Sequence, residues 1–413
     1  MAFAFKRVGG LLVALCLASC LAMAQDAAPA SRAEEIKRQR QEKAKQLEPA
    51  KPDPIEEKIL LFEQRQFFEK LGRGGDGLFP KLGGLATGQG FALGFQYSKK
   101  DLADGKVNLN AFAVGSFAKA QRYYLAFSPP DLADSKLDWK LSAERRTLTR
   151  VDFYGLGPES KLEDRSTFQL EDTAFDALLA FKAAQSRFRA GVRGGYLQTN
   201  AGDGFPRGGI STTSAAFSAA QVPGLDDQAD FARFGTFASL DLRDNKSLAR
   251  SGTLLETELT AYQDLDLGRH DFQKWETEIQ HYIPFFNRRR VIALRARTEM
   301  NFTRDGQSVP FYLKPFIGGP QELRGFRNYR FYDDNILVLN AEYRWEAFSG
   351  LDMALFVDAG QAVAKRRDFA MDKMETAAGV GFRFNVRNAT FLRLDLAFSH
   401  ESARLWLRWG SPF

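Results

Sequence analysis

The residue types that carry most enzyme chemistry are scarce in this sequence. It contains three histidines and two cysteines in 413 residues, so candidates for acid–base catalysis are few. Ser399, His400 and Glu401 could supply a nucleophile, a base and a carboxylate, as in a hydrolase. The groups of a triad must converge in space, however, and side chains of sequence neighbours rarely do so. We therefore predict no catalytic residue and no enzyme, with a hydrolase as the weakest alternative.

The remaining histidines and the cysteines do not suggest a metal site. His270 and His281 lack metal-like spacing with other ligands. Cys16 and Cys20 both precede a predicted cleavage site after Ala24, so ordinary cleavage would leave no cysteine and no disulfide. No phosphate-binding glycine loop appears. The sequence thus predicts neither a metal nor a cofactor.

Arg324 is the residue with the most distinctive chemistry. It lies in IGGPQELRGF, residues 317–326, within a long segment between two alternating apolar and polar runs. Gly318, Gly319 and Gly325 would permit tight turns around it. In a closed barrel, a guanidinium on such a loop would need water or carboxylates, with which it forms charge-assisted and bidentate hydrogen bonds.

Two carboxylates downstream could receive this guanidinium. Glu342 lies on the polar face of the next alternating run, and Asp358 on the polar face of the run after it. Phe356 and Gly360 share the face of Asp358, and Gly360 would leave space for an approaching backbone. We predict an inserted loop held by Arg324 at this wall. The alternative is an ordinary loop cation and an ordinary luminal charge.

Period-two alternation extends from about Gln89 to the C-terminus and predicts the elements that position these residues. A short strand around residues 79–87 would make sixteen, the even number usual for bacterial barrels. The other fifteen are predicted at residues 90–99, 106–118, 121–128, 136–151, 166–183, 187–200, 231–243, 253–265, 272–285, 291–303, 335–348, 351–363, 375–386, 391–398 and 403–413. Residues 201–230 are predicted to form a long outer loop.

The fold class that follows is all-β, a transmembrane antiparallel barrel over residues 80–413. The polar faces carry charges of both signs, as a wet lumen does, and strands in a bilayer must close because open edges leave backbone groups unpaired. Trp409 and the terminal Phe413 suit outer-membrane sorting. Aromatic girdles at the membrane interfaces are predicted at Tyr343, Trp345, Trp275 and Tyr282.

Composition excludes two other classes. Mean hydropathy is −0.33, and beyond the N-terminus no run approaches the roughly 20 apolar residues of a transmembrane helix. The net charge of +6 is spread along the chain, so it predicts no nucleic-acid partner.

The N-terminal sequence predicts that the protein is exported from the cytoplasm. Residues 1–24 resemble a signal peptide, with Lys6 and Arg7, an apolar core at 11–19 and an A-M-A cleavage site. A competing lipobox at residues 17–20 would lipidate Cys20. Residues 25–54 read as a polar periplasmic linker, and residues 55–72 as an amphipathic periplasmic helix whose apolar face would pack on the barrel rim or contact a partner.

The motifs around Arg324 resemble those of the BamA/TamA superfamily of outer-membrane assembly barrels, the bacterial surface antigen family. LRGF at Leu323, Arg324, Gly325 and Phe326 is similar to its (V/L)RG(F/Y) loop motif, and FVDAG, with Phe356, Asp358 and Gly360, to its F-x-D-x-G strand motif. FYGLG at residues 153–157, and DLRDN at residues 241–245 with Gly252, match further. The resemblance implies a 16-stranded barrel, a sixth extracellular loop folded inward with Arg324 on Asp358 and Glu342, and a weak seam between first and last strands.

The expected function follows from that resemblance. It implies a barrel in the outer membrane that assists insertion, assembly or translocation of unfolded outer-membrane or secreted proteins. Members usually carry periplasmic POTRA domains, whereas residues 25–71 show no strand pattern, so the chain resembles the short members that lack them. A periplasmic partner bound through residues 55–71 could substitute. The alternative function is a passive or narrow pore for small solutes.

Overall fold

The computed structural model describes residues 76–86, 88–130, 136–183, 187–386, 389–410 and 413. These residues belong to one compact unit, Phe68–Phe413. The predicted signal peptide, lipobox, linker and helix of residues 55–72 lie outside the described residues and stay predictions.

Strands dominate the described residues. In chain order they are β1 Gly77–Leu82, β2 Ala92–Asp101, β3 Val107–Ser116, β4 Gln121–Ser128, β5 Leu137–Phe153, β6 Ser166–Ala183, β7 Phe188–Asp203, β8 Ser211–Thr212, β9 Phe231–Asp241, β10 Gly252–Asp264, β11 Phe272–Phe285, β12 Arg290–Thr303, β13 Phe316–Ile317, β14 Phe331–Tyr332, β15 Asn335–Phe348, β16 Leu351–Val363, β17 Glu375–Val386, β18 Ala389–Phe398 and β19 Ala403–Trp409.

Helical segments are few and short. The α-helical turns are α1 Leu102–Gly105 and α2 Thr213–Ala216, and the 3₁₀ turns are Leu162–Asp164, Phe311–Leu313, Arg366–Asp368 and Met371–Lys373. No helix in the described part of the chain is both long and apolar enough to cross a membrane.

Antiparallel pairing joins the long strands in sequence order. β1 pairs with β2, and each following strand pairs with its neighbour up to β18 with β19, with β7 joined to β9 and β12 to β15. Leaving aside the three two-residue strands β8, β13 and β14, sixteen strands form this series. The prediction of a sixteen-stranded antiparallel membrane barrel is confirmed, and its first strand is the short β1.

The two faces of the sheet differ as a membrane barrel requires. On β19, Leu405, Leu407 and Trp409 are exposed by 63–65%, while the alternate residues Arg404 and Trp406 are half-buried. On β16, Leu355 and Val357 are exposed and Asp358 is fully buried. Apolar side chains outside and charged side chains inside invert the pattern of a soluble sandwich and match a lipid-facing surface.

Two connections position the interior. The region predicted as an outer loop at residues 201–230 begins with the end of β7 and contains β8, which pairs in parallel with β6, and α2. The connection between β12 and β15, residues 304–334, packs its apolar side chains against the barrel strands. Its Ile317, Leu323 and Phe326 join a buried cluster with Ile336 and Val338 of β15.

Candidate functional site

The side chain of Arg324 lies against carboxylates on two neighbouring strands. Its Nε donates to Asp358 Oδ2 at 2.8 Å and its Nη2 donates to Asp358 Oδ1 at 2.6 Å. Its Nη1 donates to Glu342 Oε1, and its backbone N–H donates to Asp358 Oδ2 at 3.1 Å. Arg324 is 2% exposed, so these charge-assisted bonds are shielded from water.

Electrostatics keep this guanidinium charged. Burial by itself would lower the pKa of Arg324, but the carboxylates of Asp358 and Glu342 raise it above its usual value. Asn340 Nδ2 also donates to Asp358 Oδ1 at 2.8 Å. The charges and the remaining lone pairs therefore have partners, as a buried ion pair requires.

Strand register explains why these groups meet. In the β15–β16 pair, Asn340 is opposite Asp358 and Glu342 is opposite Phe356. Residues two apart share a face, so both carboxylates and the Phe356 ring point inward together. The Arg324 Cζ lies 3.4 Å from the centroid of the Phe356 ring, a cation–π contact that adds to the ionic bonds.

Gly360 makes room for side chains of the connection that carries Arg324. A Cβ at Gly360 would lie 3.2 Å from Leu323 Cδ2 and 3.3 Å from Ile317 Cδ1. The contacts from the connection are thus side-chain atoms and not the approaching backbone predicted from the sequence. A Cβ at Gly379, on the next strand, would lie 2.5 Å from the Phe356 ring. Glycines thus seat the apolar side chains that flank Arg324.

Five of the six backbone carbonyls of residues 320–325 accept hydrogen bonds from side chains outside this segment. The donors come from four strands and from the connection between β18 and β19. The bonds are Arg393 Nη2 to Pro320 O at 2.8 Å, Arg295 Nη1 to Gln321 O at 2.8 Å, Asn340 Nδ2 to Glu322 O at 2.8 Å, Trp406 Nε1 to Arg324 O at 2.7 Å and Ser399 Oγ to Gly325 O at 2.9 Å. The segment is therefore held by its backbone as well as by Arg324.

The glycines of the connection have separate roles. Gly318 and Gly319 have φ of +121° and +93°, which L side chains rarely adopt. Gly325 has no such φ, but a Cβ there would lie 2.7 Å from Ser399 Cβ and 2.8 Å from Ala377 Cβ. Gly325 is needed for close approach to the wall.

Replacing Gly325 by alanine is expected to destabilise the barrel by about 1–3 kcal/mol, the usual effect of overpacking. Urea unfolding in detergent micelles would measure it. Gly202→Ala is the matched control, because nothing lies within 4 Å of a Cβ at Gly202. Equal stability of the two variants would contradict the close packing of Gly325.

Sequence reasoning missed the charged residues around this pair. Glu342 also accepts from Arg344 Nε at 2.6 Å and Arg383 Nη2 at 3.2 Å. Arg383 Nη1 donates to Asp395 Oδ1 at 2.5 Å, and Arg393 Nε lies 3.1 Å from Asp395 Oδ2. Period-two alternation along β15, β17 and β18 puts these residues on the polar face of each strand. Applying that rule to the neighbouring strands would have found them.

The two C-terminal aromatic residues predicted as a sorting signal, Trp409 and Phe413, have different surroundings. Trp409 is 65% exposed on the apolar face, whereas Phe413 packs beside the buried cluster that contains Tyr282. Tyr282 Oη donates to the Phe413 carbonyl at 3.1 Å, and the Arg344 Cζ lies 5.1 Å from the Phe413 ring centroid. Tyr282 is 2% exposed, so its prediction as an interfacial girdle residue is wrong. Sorting by Trp409 and Phe413 stays a prediction.

Ser399, His400 and Glu401 point to different partners. Ser399 Oγ donates to the backbone of Gly325, and Glu401 Oε1 accepts from Arg330 Nε at 2.7 Å. His400 Nδ1 lies 3.4 Å from Glu375 Oε2. The three side chains do not form a triad. Within the described ranges, no group of three or more His, Cys, Asp or Glu side chains is arranged to hold a metal.

The two further motifs secure other parts of the interior. In FYGLG, the Gly157 N–H donates to Tyr332 O at 2.8 Å, and the Tyr154 ring lies 5.0 Å from Arg330 Cζ. In DLRDN, Arg243 donates twice to Asp241 at 2.9 Å. FYGLG therefore braces the second half of the connection that carries Arg324, and DLRDN shapes the β9–β10 connection.

Comparisons with known proteins agree with this architecture. The sequence matches the Omp85 superfamily domain over residues 85–404. No curated protein matches the sequence. The fold is similar to that of BamA from Haemophilus ducreyi lacking POTRA domains 1–3, with TM-score 0.58, 11% identity, and coverage of 81% of this chain and 68% of that one.

Two solved structures of CdiB are also similar. The protein from Acinetobacter baumannii gives TM-score 0.47 and 13% identity, with coverage of 77% of this chain and 55% of that one. The protein from Escherichia coli gives TM-score 0.49 and 13% identity, with coverage of 80% and 60%. This chain spans less than two thirds of either CdiB chain.

The family match covers well over half of the sequence, and its range includes the Arg324 segment, β15 and β16. It confirms the resemblance to the BamA/TamA barrels that the motifs indicated. This chain belongs to the Omp85 superfamily and is an outer-membrane β-barrel.

Proposed function

We propose that this barrel assists the insertion, assembly or translocation of other proteins at the outer membrane, with residues 304–334 folded inward as a loop lock. The observation that carries the proposal is the buried set of bonds from Arg324 to Asp358 and Glu342. A connection fixed to the wall at this many points narrows the lumen and argues against a wide passive pore. A barrel that must open its wall without losing its fold benefits from such an internal brace.

The terminal strands supply the physical basis of opening. β1 has six residues and β19 has seven, whereas β6 has 18 and β7 has 16. A ladder between β1 and β19 can be no longer than β1. Few backbone hydrogen bonds then close the seam, and an opened seam offers strand edges on which a client strand can pair.

In this proposal, client proteins are captured by the N-terminal segment or by a separate periplasmic partner. We place the N-terminal segment in the periplasm and assign the predicted helix of residues 55–71 to binding a periplasmic partner. Clients are unfolded outer-membrane or secreted proteins, and the remaining surface contacts the lipid bilayer. Depletion of other outer-membrane proteins when this protein is lost, reversed by the wild type and not by Arg324→Ala, would support the assignment.

A narrow pore is the second candidate, and one observation favours it. A cavity of about 350 Å³ on the inner face of β7 and β9–β12 is lined by charges of both signs, including Arg189, Arg193, Glu258 and Glu278. Wet, charged walls of this kind suit small polar solutes. The brace at Arg324 limits how wide such a path can be.

Planar-bilayer recordings separate the two candidates. We expect small, brief currents from the wild type and larger, more frequent openings from Arg324→Ala, because the loop lock loses its buried anchor. Arg269→Ala is the control, since the Arg269–Asp227 pair is largely exposed and Arg269 lies outside both the charged cavity and the segment 317–326 that carries Arg324. Large, steady currents from the wild type would favour the pore and count against the loop lock.

A further inference from the structure

A second cavity lies between the connection that carries Arg324 and the inner face of β5 and β19. Its volume is about 330 Å³. The charged residues among the described residues that line it are Arg150, Arg165, Arg207, Arg327, Arg404 and Asp152. Five guanidinium groups and one carboxylate leave a surplus of four positive charges in one confined space. Such a wall raises the local concentration of anions.

On the neighbouring strands β4 and β5, two inward-facing arginines each have a carboxylate of their own. Arg122 forms a bidentate pair with Glu144, and Arg146 another with Asp172. In the cavity, only the Arg165–Asp152 pair at 2.9 Å follows this pattern among the described residues. The other positive charges of this cavity therefore lack carboxylate partners in the described part of the chain, and a bound anion could neutralise them.

The individual guanidinium groups support this interpretation. Arg150 Nε donates to the Phe205 carbonyl at 3.1 Å, and Arg404 Nε donates to Ser402 Oγ at 3.1 Å. The guanidinium groups of Arg327 and Arg207 form no hydrogen bond or ion pair with the described part of the chain, and the Arg327 Nε is fully buried. A buried donor without an acceptor is costly, so a bound acceptor would stabilise this site.

The shape and lining indicate the class of ligand. A volume of about 330 Å³ is at the lower end of the small-molecule range and exceeds what a bare anion fills. Planar guanidinium groups match phosphate geometry, and the rings of Trp406 and Tyr329 offer apolar surface beside them. We propose that this cavity binds a phosphate ester, with the phosphate on the arginines and the organic part on these two rings.

Occupancy of this site would reinforce the loop lock, although the binding proposal does not depend on it. Arg327 and Tyr329 follow Arg324 in the same connection, and Trp406 donates to the Arg324 carbonyl. A phosphate bridging Arg327 and Arg404 would tie that connection to the last strand and remove repulsion between the two cations. A soluble phosphate ester and the headgroup of a phosphorylated glycolipid share this chemistry.

Calorimetric titration of the full chain in zwitterionic nanodiscs tests the site. One arm adds glucose 6-phosphate, with glucose as the uncharged comparison. The other arm compares nanodiscs containing a bisphosphorylated glycolipid with nanodiscs containing its dephosphorylated form, read out as the temperature at which the folded band is lost on gels. We expect a response to phosphate in at least one arm. The arm that responds shows whether the phosphate ester is a soluble molecule or a lipid headgroup. Arg327→Gln should weaken the binding by at least about 10-fold.

Two further variants keep the test decisive. Arg207→Gln changes an exposed arginine outside the connection, so it should weaken binding even where Arg327→Gln fails to fold. Arg193→Gln makes the same charge change in the other cavity and should leave affinity within about twofold, as expected of distant sites. No response in either arm, or equal weakening by Arg193→Gln, would overturn the proposal without affecting the Arg324 assignment.

Discussion

Replacing Asp358 by alanine is expected to lower the free energy of unfolding by about 3–5 kcal/mol, the range for breaking a buried ion pair by removing one partner. The substitution removes both side-chain bonds and the backbone bond from Arg324 to Asp358. Arg324 is 2% exposed, so water cannot readily replace the lost oxygens. Glu342 remains, but it is already shared with Arg344 and Arg383.

Asp138→Ala is the matched control for this variant. Asp138 lies 2.6 Å from Arg189, and the two side chains are 24% and 36% exposed. Partly exposed pairs contribute about 0–1 kcal/mol, so this variant should unfold close to the wild type. Urea titration in detergent micelles, with heat-modifiable gel mobility, measures both. Similar stability of the two variants would show that the buried bonds do not hold the loop lock.

Combining Asp358→Leu with Arg324→Met separates stability from function. Replacing a whole buried pair by apolar residues is often nearly neutral, so the double variant should recover part of the stability lost by Asp358→Ala. If it folds and the connection becomes sensitive to protease, the bonds of Arg324 fix the loop. A protected connection in the double variant would assign that role to the wall contacts of the carbonyls instead.

Period-two alternation predicts the strands of this protein well, because a membrane strand has one face in lipid and the other in a wet interior. Strands such as β11 and β16 were predicted with their observed bounds. The same parity selected Glu342 and Asp358 as inward-facing. The position of β1, GLFPKL, was not predicted correctly: its side chains alternate in burial, but it spans Gly77–Leu82 instead of the predicted residues 79–87.

Contacts made by the long connection could not be predicted, because they depend on its path through the interior. Nothing local indicates that Trp406 donates to Arg324 O, or that Arg393 donates to Pro320 O, across more than 70 residues of sequence. Residues that pack there, such as Leu323 against Gly360, are likewise brought together by the fold. Motif and parity therefore identified the central pair, and the structure supplied the carbonyl contacts that surround it.

The first strand, β1, determines which strands must separate in a seam-opening mechanism. The strand that starts near residue 90, which contains Gly94, is the second strand, and it pairs on both sides with β1 and β3. A crosslink from that strand would not report on the seam. Closing the series of sixteen strands requires β19 to pair with β1. Leu78 and Leu82 of β1 point outward with 65% and 51% exposure.

A disulfide between β1 and β19 is therefore expected to abolish activity, and its reduction to restore it. Leu82→Cys with Leu405→Cys, and Leu78→Cys with Leu407→Cys, place both thiols on the outer face. A bond forms only where the Cα atoms come within about 4.4–6.8 Å, so gel mobility without reductant selects the productive pair. No cysteine follows residue 20 in the natural sequence, so no native thiol of the barrel competes.

Leu396→Cys with Leu405→Cys is the control that makes the result interpretable. These residues are register partners in the β18–β19 pair, so their disulfide adds a crosslink of the same kind without closing the seam. If the barrel works by separating β1 from β19, cells with the control keep normal levels of other outer-membrane proteins and cells with the seam crosslink do not. Full activity of a completely crosslinked seam would exclude opening there, because a client strand cannot pair with an edge that never becomes free.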